Sequence, residues 1–551
     1  MRKTALALIA ALLASPASAE ILISNVNGIQ VGPDGQLQHF GALLIDDNGR
    51  VESVIKMPTP RVKRYDRNID GHGMTLLPGL IDAHGHVLDL GMTQMTVQLV
   101  GTSSIADLQQ RLRDYAAAHP NDTWIIGFGW NQELWPDKRF PTAADLDAVV
   151  SDKPVVLERV DGHAVVANSA AMKAAGVTAQ TVAPSGGRIE NGLFVDAARG
   201  LIDKAIPART PAQSDEALAK AQQQLLSVGV TGVGSMSTSI DDWEAMKRAG
   251  AAGTLNVRLI AYISAARAAE ANMRPTGWLY DDRLRAVGVK LFADGALGSR
   301  GAWLKQPYSD KPDTGGLQFH SDAEMLQLAD AAASHGFQIA THAIGDAANA
   351  QVITTYEALS KKYGRDRRWR IEHFQIADPA DIPRLAPAGI IASMQPTHQT
   401  SDRLMAEKRL GPNRLAGAYA WQTVLKSGAH LAFGTDFPVE SPNPFPGLSA
   451  AVSRQDMKGQ PPGGWLPSER LTFAQALSAY TRGAAYAGFA EDKIGSLEPG
   501  KWADFILIDR DPTKVDALSL GNTQVLETWV SGKKVWQRAS AATPSPTERG
   551  K

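Results

Sequence analysis

The 551-residue chain contains no cysteine. That removes thiolate metal ligands, cysteine nucleophiles and disulfides. Any metal must therefore be held by histidine, carboxylate or a modified lysine. An excess of one charge is also missing: 56 Lys and Arg stand against 57 Asp and Glu, a formal net charge of −1. Nucleic acid or an anionic membrane as main partner would demand a basic excess. No apolar run reaches the ~20 residues needed to cross a bilayer. The short apolar stretch from Thr4 to Ala14 follows Arg2 and Lys3 and precedes Ala17-Ser18-Ala19. This is the pattern of a secretory signal peptide. The expectation is a periplasmic or secreted protein, cleaved after Ala19. There is no internal repeat. The tail, 539–551, is rich in Ala, Ser, Thr and Pro and is expected to be disordered.

What is present is an ordinary globular composition, 44% hydrophobic and 21% charged, on a chain long enough for a large domain and an accessory one. Residues 21–26, 41–46 and 51–55 are short β-type runs between Gly, Asn and Asp turns. Residues 504–509 and the hairpin 525–537 about Ser531-Gly532 look alike. Two β-rich ends suggest one small domain built from both termini. The middle alternates apolar strands (124–128, 154–157, 287–292, 338–342, 390–394, 430–434) with Ala-rich helices (214–226, 322–335, 347–360). Such alternation implies a parallel sheet. Two patches, about 129–202 and 401–414, interrupt it as insertions that shape a pocket.

Chemistry-bearing residues gather at strand ends. His84 and His86 close the apolar run 74–81, and residues i and i+2 of a strand project to one side, where two imidazoles can grip one cation. Lys290 sits inside an apolar strand. It is either a snorkelling side chain or a carboxylated lysine bridging two ions. His342, His373 and Asp436 end three further strands. Imidazole and oxygen donors suit Zn²⁺ or a similar divalent ion, which lowers the pKa of water to ~7. A carboxylate beside that water can take its proton and pass it to the leaving group, and Asp436 fits that role.

In order, LPGLIDAHGH, VKLFADG, HAIGD, RIEH and GTDFP resemble the amidohydrolase superfamily. GWNQELWP, RVDGHAVVANSAAM, SMQPTH and GSLEPGKWADFILID resemble its subgroup containing N-substituted formamide deformylases. The resemblance spans residues 20 to about 540 and implies an α/β fold: a TIM-like (β/α)8 barrel (79–488) and a small β-sandwich from 20–78 and 489–538. It implies that His84 and His86 are ligands on strand one, Lys290 the strand-four carbamate, His342 and His373 ligands on strands five and six, and Asp436 ligand and base on strand eight. One or two metal ions are compatible with this set.

Other residues have two readings each. His163 either faces the substrate carbonyl or is satisfied by its own turn, and His398 divides likewise. Trp130 and Trp135 are pocket walls or packing. Asp294 and Arg300 support the site or anchor substrate. His39, His72, His119, His320, His335 and His430 read as structural. The expected activity is hydrolysis of an amide, formamide or cyclic amide C–N bond in a small-molecule substrate, with homodimerisation left open. Ester, lactone or phosphotriester hydrolysis on the same site, and a non-catalytic exported binding protein, are the competing readings. A glycosidase would need two acids flanking a sugar bond, and the histidine set does not suggest it.

Overall fold

Strands apolar on both faces are stable only when both faces are covered. Eight such strands, all parallel, form the centre of the molecule: Leu80–Gly85, Val230–Thr238, Arg258–Ser264, Leu284–Phe292, Gln338–Ala343, Arg370–His373, Ile391–Met394 and His430–Phe433. This computed structural model describes residues 20–56, 67–160, 162, 164–184 and 187–539. The expected signal peptide, His163 and residues 540–551 of the tail lie outside that set. The eight strands make a near-closed (β/α)8 barrel. At its seam Asp436 N donates to His84 O and His86 N to Phe437 O, each at 2.8 Å. The buried Asp82 carboxylate accepts from Thr435 N (3.1 Å) and Oγ1 (2.7 Å), tying strand one to the turn after strand eight.

Both termini build the accessory β domain. A four-stranded sheet orders Val51–Ile55, Ala42–Ile45, Ile21–Ser24 and Arg67–Asp70. A six-stranded one orders Lys533–Gln537, Val525–Val530, Phe505–Ile508, Thr75–Pro78, Asn27–Val31 and Leu37–Phe40. Ile23, Leu43, Leu76, Phe505 and Trp529 fill the core between them. Arg258, at the start of barrel strand three, clamps this domain by a buried fork to Asp504 (2.6 and 2.9 Å).

The expected strands 124–128 and 154–157 are not barrel strands. Ile125–Trp130 and Val155–Arg159 belong to a separate six-stranded sheet between barrel strands one and two, with Val97–Gln98, Ala164–Ala167, Leu193–Asp196 and Gly187–Glu190. Barrel strands two and three are Val230–Thr238 and Arg258–Ser264. The mistake has a physical origin, since buried parallel strands have the same composition in either sheet. Segment 401–414 lies in the helix Pro396–Leu410 and the short turn after it. Among the described residues no helix is long and apolar enough to cross a membrane.

Candidate active site

Barrel strands carry their functional residues at the C-terminal end. There the loops and the inserted sheet enclose a cavity of about 850 Å³. His84, His86, Lys290, His342, His373, His398 and Asp436 all line it. Ile126, Phe128, Phe292 and Met405 supply apolar wall.

The donor set is assembled at close range. Asp436 Oδ1 stands 3.4 Å from His84 Nε2 and 3.2 Å from His86 Nε2. These three residues can hold one metal ion. His373 lies nearby, its ring centroid 4.8 Å from that of His84 and 4.6 Å from that of His342. Lys290 Nζ is 3.4 Å from His84 Nε2. His373 and Asp436 both have left-handed backbone (φ 74° and 61°). For non-glycine residues this costs about 1–3 kcal/mol each, and it is found where a side chain must be aimed.

Protonation states suit a cation. Burial pulls His84 down to about 4 and His342 to about 3, and holds His373 well below the usual imidazole range, so their lone pairs are free near neutral pH. Burial works against the Asp436 carboxylate, yet the surrounding imidazoles, His84 foremost, hold it well below its ordinary value. Burial pulls the Lys290 ammonium down to about 8.

Supporting groups fix which ring nitrogen faces the cavity. His84 Nδ1 donates to Glu372 Oε2 at 2.6 Å, leaving Nε2 for a ligand role. Glu372 is in turn gripped by Arg370 (2.7 and 3.1 Å), whose guanidinium holds the carboxyl low despite complete burial. His373 Nδ1 donates to Gln395 Oε1 at 2.9 Å. Glu372, Arg370 and Gln395 are residues that sequence reasoning missed. The signal for Glu372 was present: a charged residue inside a buried strand, as for Lys290.

Other candidates fall elsewhere. Trp130 and Trp135 are not cavity walls. Both are 1% exposed or less, in the core of the inserted sheet, with indole N–H groups donating to Leu157 O and Thr102 O. A bulge at Gly129 (φ 106°) shifts the register between Phe128 and Trp130 and turns Trp130 to the face opposite Ile126 and Phe128. Arg300 is not among the residues that line the cavity, and its guanidinium pairs with Asp310 (3.2 and 2.9 Å). Asp294 does not line the cavity. Its carboxylate accepts from Trp303 N, Ile344 N and Gly345 N at 2.8–3.0 Å, and Oδ1 lies 3.4 Å from His342 Nε2. It therefore positions the loop after strand five.

Residues 67–536 match the Amidohydrolase family. The chain belongs to that family. This amidohydrolase is 32% identical over 542 residues to the protein LONG AFTER FAR-RED 3 of Arabidopsis thaliana, covering 94% of this chain and 92% of the relative. N-substituted formamide deformylase of Arthrobacter pascens is 28% identical over 499 residues, covering 86% and 90%. Among solved structures, an uncharacterized metal-dependent hydrolase from Pyrococcus horikoshii superposes with a TM-score of 0.77 at 29% identity, covering 90% of this chain and 99% of that one. The amidohydrolase is a metal-dependent hydrolase with His84, His86 and Asp436 as its candidate metal site.

Proposed function

We propose that this amidohydrolase splits the C–N bond of an amide-type small molecule, a formamide, another N-acyl amine or a cyclic amide, with Asp436 as general base and then general acid. One observation carries the reading: an ionised, buried carboxylate lies 3.2–3.4 Å from two imidazole nitrogens of residues that line the cavity. The donors fit a divalent cation such as zinc, since the Nδ1 atoms of His84 and His373 are tied back and burial keeps these two imidazoles neutral. His84, His86 and Asp436 would hold it, with His342, His373 and a carboxylated Lys290 as further members of the set. When bound, the ion would polarise the scissile carbonyl and lower the pKa of water to ~7. Asp436 takes the proton from the attacking water and returns it to the departing nitrogen. The apolar wall of Phe128, Phe292 and Met405 excludes bulk water and takes an apolar substituent. The printed activity of the deformylase relative supports the bond type.

The test is metal analysis of the purified protein with a panel of formamides, other N-acyl amines, cyclic amides, esters and lactones. Amides should turn over with a divalent ion bound, and Asp436→Asn should lower kcat by about 10²–10⁴-fold with the fold intact. Turnover of esters alone would replace the bond assignment, and full activity of Asp436→Asn would remove the base. Export to the periplasm or medium belongs to the same proposal. A mature N-terminus at Glu20 is the expected result, and an uncleaved cytosolic chain would refute it.

A further inference from the structure

We propose that the inserted sheet and its helices, residues 97–206, form a lid that swings as one body over the cavity. The unit is complete in itself. Its sheet has a core on each face: Leu112, Trp130 and Leu157 help fill one, Val165, Phe194 and Ile202 the other. Among the described residues, neither core contains a side chain from outside 97–206, and the barrel core contains none from inside it. The terminal β domain is joined differently. Ile506 and Val525 lie in the same core as Leu226 and Val230 of the barrel, and Asp504 pairs with Arg258.

Polar ties follow the same division. Among the described residues, the hydrogen bonds and ion pairs of 97–206 reach outside it only at Met95 and Thr96. Tyr115 OH donates to Met95 O at 2.7 Å and Gln98 Nε2 to Thr96 O at 3.3 Å. Both acceptors lie in the connection 94–96, which follows the helix Val87–Thr93. The return connection is 207–210, ahead of the helix Pro211–Ser227. Neither connection is helix or strand, so both can absorb a change in φ and ψ. Units of one chain move relative to each other unless a large apolar interface joins them, and no shared core joins these two. The lid brings wall to the cavity: Ile126, Phe128, Glu158 and Arg159. The donor set, from His84 to Asp436, belongs to barrel strands and the turns after them. Opening therefore uncovers the cavity without disturbing the donors. Closing lays Ile126 and Phe128 against the substrate and removes bulk water. Closure over a substrate rests on the hydrolase reading above; the motion itself does not.

Because the chain has no cysteine, introduced cysteines take spin labels at chosen positions only. The test is pulsed double electron–electron resonance on three doubly labelled full-length variants. Ala117→Cys/Leu404→Cys spans lid and barrel. Ala117→Cys/Lys173→Cys lies within the lid and Leu326→Cys/Leu404→Cys within the barrel, all four sites being exposed on helices. In the free protein the spanning pair should give a distance distribution about twofold wider, or more, than either internal pair. A spanning pair as narrow as the internal ones overturns the lid. Benzohydroxamate, an amide-shaped metal ligand with an apolar ring, should draw the wide distribution to its short end, with binding read by calorimetry. A bound ligand that leaves the distribution wide overturns the closure. A wide spanning pair in a protein without amide turnover keeps the lid while the hydrolase reading falls.

Discussion

A lysine 3% exposed, with no carboxylate in salt-bridge range among the described residues, is an unusual thing to bury. Its cost predicts a pH dependence whose sign can be worked out. Folded Lys290 titrates at about 8, below its ordinary 10.5. Between these values the unfolded chain carries a proton that the folded chain does not, so stability rises with pH across that window. In metal-free protein and CO2-free buffer, Lys290→Met should therefore be the more stable protein at pH 7, by up to a few kcal/mol. The gap should narrow as pH rises through 8 towards 10. Urea midpoints measured along that range check it, and a constant gap would mean that packing, not charge, sets the difference. Lys290 was legible in the sequence because a charge inside an apolar strand stands out. Glu372 stands out in the same way, but its role does not, nor does that of Gln395, because each acts through the nitrogen it holds on a histidine three barrel strands away or one strand over. Strand composition does not encode that geometry.

At the scale of elements, packing decides against propensity. Gly91 lies within the helix Val87–Thr93 that follows His86, and this helix crosses Pro211–Ser227. A helical glycine ordinarily costs about 1 kcal/mol relative to alanine. Here a Cβ would meet Ala217 O at 1.8 Å and its carbonyl carbon at 2.4 Å, both backbone atoms that cannot swing aside. Gly91→Ala should thus destabilise by about 1–3 kcal/mol or more, reversing the usual sign. Thermal melts check it, and a raised midpoint would show that the two helices slide apart freely. The same competition explains what the sequence concealed. The strand ends with His84, His342 and Asp436 were readable from apolar runs broken by glycine, and that with His373 from its short apolar run alone. Trp130 was not, because a bulge at Gly129 reverses the side to which the strand's alternation assigns it.

Across the whole molecule, function and stability occupy opposite ends of the barrel. The cavity collects residues from the C-terminal ends of strands, whereas Arg258 begins strand three and reaches the terminal β domain. Asp504 takes that guanidinium and the Ser531 N–H (2.8 Å), so barrel and β domain share one buried charge pair. Removing one partner of such a pair leaves an uncompensated buried charge, costing about 3–5 kcal/mol, whereas replacing both by apolar groups is often nearly neutral. Asp504→Ala should lower the denaturation midpoint by that order. Arg258→Met/Asp504→Leu should recover most of the loss. Because neither residue approaches the cavity, kcat of the still-folded Asp504→Ala at low temperature should match wild type. A fall in kcat without a fall in stability would mean that the β domain communicates with the metal site instead of merely closing the barrel's lower face.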